Sequence, residues 1–218
     1  MTGETFIERF RPEHTAAIRD ICFETGFAGE TLRGIIDNKE FFADLVTGYF
    51  THEFTGGTFA AVRGGRVIGY LFCCPDEEKH APAIEQHYRS RIIRELPRLG
   101  RFTRSDAAFF AREAMSFIGG EMNFPPFTRD YTSALHINVL PVEQRTGAGA
   151  LLFDTMFRYL EGLGSRGVHL QTTSLNTKAL PFYIKHGFTE LFSKKTRFYR
   201  KWTSEEVRNV ILGRKLPR

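Results

Sequence analysis

The sequence predicts an α/β (α+β) fold in a single domain, and three observations carry that prediction. Two β-rich runs, residues 58–63 and 66–74, are joined by Gly64-Gly65, the kind of dipeptide that closes a tight hairpin. Farther on, an apolar run at 133–139 passes through a short glycine-containing loop into an amphipathic stretch at 147–163, after which strand and helix patterns alternate. At 218 residues the chain suits one core, since single cores stop growing at roughly 250–300 residues.

Residues 6–10 read as a first strand, stopped by Arg11-Pro12. Residues 15–24 follow as a helix with Ala16, Ala17, Ile21 and Phe23 as apolar positions, ended at Gly26. Phe41, Leu45 and Tyr49 recur every four residues and predict a helix over 41–50. The hairpin comes next. Residues 75–131 then break the rhythm. They are charged and helical in pattern at 81–95 and 106–117, and they end in Phe124-Pro125-Pro126-Phe127. The stretch is too short for a core of its own, so it reads as a helical insertion within a domain spanning 1–218. A strand at 133–139, a helix at 147–163, a strand at 168–173, a helix at 177–186 and a long strand or strand pair at 188–200 complete the alternation. Ser204, with Glu205 and Glu206 behind it, predicts a last helix over 204–212, the serine as N-cap and the acids against the helix dipole.

The chain is 42% hydrophobic and 25% charged, as soluble globular proteins are. No apolar run approaches the ~20 residues of a membrane-spanning helix. The first residues lack the basic stretch and apolar run of a secretory signal, and Cys22, Cys73 and Cys74 are odd in number with two adjacent. Reduced thiols in a cytoplasmic protein without a metal site are therefore expected. His80 and His87, seven apart without further ligands, read as surface residues. Charge is uneven. Residues 144–218 hold 14 Lys and Arg against 5 Asp and Glu, a balance of +9, while residues 1–143 hold 16 against 20, a balance of −4. A basic C-terminal third suits a phosphorylated cofactor, a nucleic acid or an acidic protein, or is simply a solvated face. Arg89, Arg91, Arg94, Arg98, Arg101 and Arg104 in the insertion carry no recognition motif, so a solvated helix face is expected there rather than a nucleic-acid site.

The stretch from Leu135 to Ala150 is the most informative. A strand ends at Pro141, a loop holds Gln144, Gly147 and Gly149, and an apolar helix follows at once. Glycines permit close backbone approach, and the free N–H groups of a helix start form an anion site. Arg145 adds charge at its rim. The loop has neither the Gly-Lys-Ser/Thr ending of a Walker loop nor a G-x-G-x-x-G fingerprint, and a plain tight turn is the structural alternative.

Gln144-x-x-Gly147-x-Gly149 resembles the acyl-CoA loop of the GNAT N-acetyltransferases, Q/R-x-x-G-x-G/A. Residues 176–188 are similar to that family's N-x-x-A-x-x-F-Y-x-x-x-G-F at Asn176, Ala179, Phe182, Tyr183, Gly187 and Phe188. The match covers about 133–200, roughly a third of the chain. Gly164-Ser-Arg-Gly167 and the motif after it are similar to the acetyltransferase-like domain of O-GlcNAcases and its bacterial relatives. The resemblance implies a central, mixed, mostly antiparallel twisted sheet whose fourth and fifth strands splay around acetyl-CoA as cosubstrate. It places the pantetheine along Ile137, Asn138 and Val139, and the pyrophosphate after Gln144 on the backbone of Arg145, Thr146, Gly147, Ala148, Gly149 and Ala150. It gives Asn176 the cofactor's amide groups, with a helix cap as an equal alternative. It makes Tyr183 the proton donor to the leaving thiolate, the alternative being a core tyrosine. The implied acceptor is a small-molecule or protein amine attacking directly in a ternary complex, and the implied assembly includes a homodimer as a candidate.

One departure matters. Some members carry a glutamate base twelve residues before the tyrosine, and here that position is Gln171, which takes no proton. His136 is the substitute by its position on the strand and its ordinary pKa near 6.5, with a structural or substrate-contacting role as the alternative. Glu121, Asp130 and a water relay also stay open. A catalytically inactive acyl-CoA-binding or protein-interaction module is therefore the second reading. The acceptor side falls to residues 20–55 and 75–131, where Phe23, Phe27, Phe124 and Phe127 either line a pocket or fill the core.

Overall fold

The computed structural model describes residues 3–125, 127 and 129–217, so Pro126 of the proline pair lies outside the described residues. Strands β1 (Thr5–Arg9), β2 (Thr58–Arg63), β3 (Arg66–Cys74), β4 (Ser133–Val139), β5 (Gly167–Thr173), β6 (Thr189–Thr196) and β7 (Val207–Lys215) form one sheet in the order β1-β2-β3-β4-β5-β7-β6. Every neighbouring pair is antiparallel except β4 and β5. The hairpin turns where expected, because Gly64 and Gly65 both take positive φ, 55° and 74°, which the β2–β3 connection requires.

Helices cover both faces. These are α1 (Thr15–Thr25), α2 (Lys39–Gly48), α3 (Glu77–Glu95), α4 (Arg104–Ile118), α5 (Ala148–Gly162) and α6 (Ala179–Lys185). On one face α5 turns Leu152, Phe153, Met156 and Leu160 onto Leu71, Leu135, Val168, Leu170 and Leu212 of the sheet. On the other, Ile18, Ile21 and Cys22 of α1 pack on Tyr70 and Phe72 of β3. All three cysteines are free and buried. Asn38 caps α2 by accepting from Phe41 N–H at 3.1 Å, and the helix opens into a wider π turn, Tyr49–Glu53. Asp76 caps α3 four residues earlier than the pattern at 81 suggested, by accepting from Lys79 N–H.

The last helix expected over 204–212 is a strand. β7 lies between β5 and β6 and pairs with both. Val207, Val210, Ile211 and Leu212 are buried in it, and this near-continuous apolar run with β-branched residues is what a strand covered on both faces needs. Ser204-Glu205-Glu206 forms the turn before it, so the helix-start signal is local and loses to the tertiary pairing.

α3 and α4 lie between β3 and β4 in sequence and are tied to the domain by Asp106. It is fully buried. Its Oδ1 accepts from Asp37 and Asn38 N–H at 2.9 Å each, and its Oδ2 from Thr103 N–H at 2.9 Å. Burial alone raises its pKa, but the backbone donors of Asn38, Thr103 and Asp37 outweigh that and hold it below the usual carboxylate value. A depressed folded pKa stabilises above the unfolded value near 3.9 and is lost as pH falls through the folded one. Asp106→Ala is expected to cost about 3 kcal/mol at neutral pH, because several buried donors lose their acceptor. Melts from pH 7 to pH 3 should show this loss and a shallower acid slope than wild type.

Candidate active site

β4 pairs with β3 from Ala134 to Val139, but with β5 only at Ser133↔Val168 and Ala134↔His169. Beyond Ala134 the two parallel strands separate, and the end of β4 from Ile137 to Val139 faces a cleft of about 560 Å³ instead of a strand. The cleft brings together Ile137, Asn138, Val139, Gln144, Arg145, Gly147, Gly149, Ala150, Asn176 and Tyr183. Two residues expected with them do not line it: Ala148 is buried beneath the first turn of α5, and Thr146 turns its hydroxyl back to donate to Glu143 C=O at 2.7 Å.

The loop is shaped by its backbone. Arg145 (φ 63°) and Gly147 (φ 93°) are left-handed, and Gly147 starts α5 without a side-chain cap. No acid lies in the first turn. The N–H groups of a 15-residue helix therefore open onto the cleft, where its dipole favours an anion. A Cβ on Gly149 would stand 3.1 Å from Phe182 Cζ, so the loop packs closely on α6 and a side chain there requires the Phe182 ring to give way. Gln144 donates to Val139 C=O at 3.3 Å and fastens the loop to the strand end. Charge agrees with the geometry. Glu143, the acid at the rim, is paired with Arg63 at 2.5 Å, while Arg145 and Lys185 have no ion-pair partner among the described residues.

Asn176 makes a helix-start contact and also lines the cleft, although α6 itself begins at Ala179 and not at Thr177. Its Oδ1 accepts from Ala179 N–H at 3.3 Å at the start of α6, and its side chain lines the cleft. The turn after α1 closes over it: a Cβ on Gly29 would stand 2.9 Å from Asn176 Oδ1, and Glu30 pairs with Lys178 at 2.6 Å. The Tyr183 ring packs against Phe153 and Phe188. Its hydroxyl has no hydrogen-bond partner among the described residues and opens into the cleft. Burial pushes the phenol well above its usual pKa of 10, so it stays protonated.

His136 faces the opposite side of β4, among Tyr70 and Phe72. Asn138 Nδ2 donates to its Nε2 at 3.0 Å, and the Tyr70 hydroxyl lies 3.1 Å from the same atom. The imidazole is open to solvent but ringed by protein, and this desolvation pulls its pKa down to about 4. Glu121 is committed elsewhere. Its Oε2 accepts from Ser116, Thr196 and Arg197 N–H, and these bonds outweigh burial to hold its pKa below the usual range. Asp130 sits beside Gly167 at the paired end of β4 and β5, away from the splay. Gln171 Nε2 lies 3.6 Å from Met122 Sδ.

Other expectations need correction. His87 is not at the surface: it is 1% exposed, with Nδ1 2.7 Å from Glu53 Oε1, because the π turn after α2 packs on α3. The arginine run is only partly a solvated face. Arg91, paired with Asp44 at 3.2 Å, joins Arg94, Arg98 and Arg101 in a groove beside α2 that holds as many acids as arginines. The four candidate phenylalanines do not converge. Phe23 is core, Phe27 packs on Tyr199 and Trp202, Phe124 on Phe192, and Phe127 beside His169. Sequence reasoning passed over Lys185, two residues after Tyr183, although an unpaired cation inside the motif is a usable signal.

The profile of the acetyltransferase (GNAT) family matches residues 30–188. Among solved structures, SsHAT aligns over 99% of this chain and 100% of its own, with a TM-score of 0.72 and 24% identity. A GCN5-related N-acetyltransferase from Kribbella flavida covers 97% and 98% at 0.60 and 16%. yncA from Salmonella typhimurium, solved with its cofactor acetyl-CoA, covers 99% and 95% at 0.58 and 12%. These likenesses show the same fold. With the profile spanning most of the sequence and a splayed strand pair opening onto an uncapped helix start, the chain belongs to the GNAT acetyltransferase family.

Proposed function

We propose that the protein transfers an acetyl group from acetyl-CoA to an amine by direct attack in a ternary complex. The observation that carries this reading is the open β4 edge running straight into the N-terminus of α5, with the unpartnered Tyr183 hydroxyl in the same cleft. The backbone of Ile137, Asn138 and Val139 is an unpaired edge that an amide-bearing pantetheine can extend. The N–H groups from Arg145 to Ala150, flanked by Arg145 and Lys185, suit a pyrophosphate. In this reading Asn176, which lines the same cleft, takes the cofactor's amides.

An alkyl ammonium has a pKa near 10.4 and must lose a proton before its lone pair can attack the thioester carbonyl. The C–N bond then forms, the C–S bond breaks, and Tyr183 supplies the proton to the sulfur. The proton leaving the new amide nitrogen balances the one given to the thiolate. His136 lies on the acceptor side. An imidazole held near 4 is a weak acceptor for an ammonium proton, which favours a hydrogen-bonding contact to the acceptor over proton removal.

Gln171 is the observation that favours the inactive acyl-CoA module. The two readings separate in one assay of acetyl-CoA with a lysine-containing peptide, a free alkylamine and an amino sugar. Stoichiometric release of free thiol and an acetylated amine is expected. Tight acetyl-CoA binding with no acetylated product on any of them would favour the module.

A further inference from the structure

We propose that Asn138 and Tyr70 hold His136 as its Nδ1–H tautomer and that this N–H donates to an oxygen of the acceptor close to the reacting amine, an inference that rests on the transfer reading above. The acceptor class it names is an amine that carries a hydroxyl or carbonyl oxygen a few atoms from its nitrogen.

Strand register brings the three side chains together. Tyr70 and Asn138 are direct partners across β3 and β4, and Phe72 is the partner of His136. Residues two apart on a strand share a face, so all four stand on the side where α1 packs on Tyr70 and Phe72. The imidazole stacks on both rings, with centroids 5.7 and 5.9 Å away. On its other flank there is no strand, because the β4–β5 pairing ends at Ala134. Asn138 lines the cofactor cleft and also reaches His136, so one side chain links the ring to the cleft.

The hydrogen bonds decide which ring nitrogen carries the proton. An asparagine Nδ2 has two N–H groups to give and accepts nothing. Asn138 gives one to the Tyr70 hydroxyl at 2.8 Å and the other to His136 Nε2 at 3.0 Å. Nε2 must then present its lone pair, and a neutral imidazole keeps its one proton on Nδ1. Tyr70 is fully buried, and burial keeps its phenol protonated. At 3.1 Å from Nε2 it is a second donor there. Desolvation leaves the ring neutral at working pH, with a pKa of about 4. Nδ1 has no hydrogen-bond partner among the described residues, and the side chain is exposed. The ring's only lone pair is therefore engaged, so His136 does not take the ammonium proton. It offers a donor, which an ammonium cannot use and an oxygen can.

Nitrogen-15 spectra of the imidazole in the full chain at pH 7 read the tautomer. Wild type is expected to show Nδ1 protonated and Nε2 unprotonated. Asn138→Asp replaces the donor with a carboxylate that only accepts, and should move the proton to Nε2, a change that a merely structural Asn138 would not produce. Kinetics then compare an amino alcohol with the alkylamine of the same chain length. Wild type should favour the amino alcohol in kcat/KM by about fivefold, the contribution of one neutral hydrogen bond, and mainly through KM. His136→Phe should bring that ratio close to one. A protonated Nε2 in wild type, or an Asn138→Asp variant that keeps the proton on Nδ1, overturns the tautomer lock. Equal kcat/KM for the two amines, or a ratio that His136→Phe leaves unchanged, overturns the acceptor contact with the transfer reading intact. Wild type that acetylates no amine overturns the transfer reading and the acceptor contact with it.

Discussion

Tyr183→Phe is expected to lower kcat by about 10²- to 10⁴-fold while leaving acetyl-CoA affinity and the melting temperature nearly unchanged. The substitution removes one oxygen. The ring contacts to Phe153 and Phe188 stay, and the hydroxyl has no protein partner to lose, so neither packing nor a hydrogen bond is spent. Only the donor facing the cleft disappears. Burial raises the phenol's pKa, but the departing thiolate enters the same poorly solvated place, so its affinity for a proton rises with it. Single-turnover kinetics with isothermal titration check this. A Tyr183→Phe variant as fast as wild type would make Tyr183 a core residue and nothing more.

Gly149→Val is expected to weaken acetyl-CoA binding by about 10²-fold, roughly 2.7 kcal/mol. A Cβ there stands 3.1 Å from Phe182 Cζ and 3.4 Å from Cε2, and the branched side chain occupies the space where an anion must approach the first N–H groups of α5. Gly147 acts differently. Nothing lies within 4 Å of its Cβ position, but its φ of 93° strains any side chain, so Gly147→Val changes the path of the loop instead of filling it. Titration of the Gly149→Val variant reads the effect, with thermal melts to show that the domain remains folded. An unchanged Kd would place the cofactor elsewhere.

What was legible in the sequence was local. Gly64-Gly65 fixes a hairpin whose flanking runs match the observed strands residue for residue, and of the motif's glycines Gly147 takes a left-handed φ while Gly149 lies close against Phe182. What was not legible depends on neighbours distant in sequence. Val207 to Leu212 becomes a strand only because β5 and β6 stand on either side of it, while Ser204-Glu205-Glu206 signals a helix from the chain alone. Residue type suggested His136 as a base, but its surroundings pull it down to about 4. His87 read as exposed because nothing in its sequence neighbourhood foretells Glu53. The break in rhythm at 75–131 is visible in the sequence, but the contact that ties α4 to the start of α2, Asp106 with Asn38, spans 68 residues.

Calorimetric titration of the purified protein with acetyl-CoA, with desulpho-CoA and ATP as controls, tests the central claim most directly. Micromolar, one-to-one binding of acetyl-CoA and desulpho-CoA is expected, with ATP far weaker, since the pantetheine needs the open β4 edge as well as the helix start. No binding of either CoA species, or ATP binding as tight as acetyl-CoA, would contradict a cleft built for an acyl-CoA.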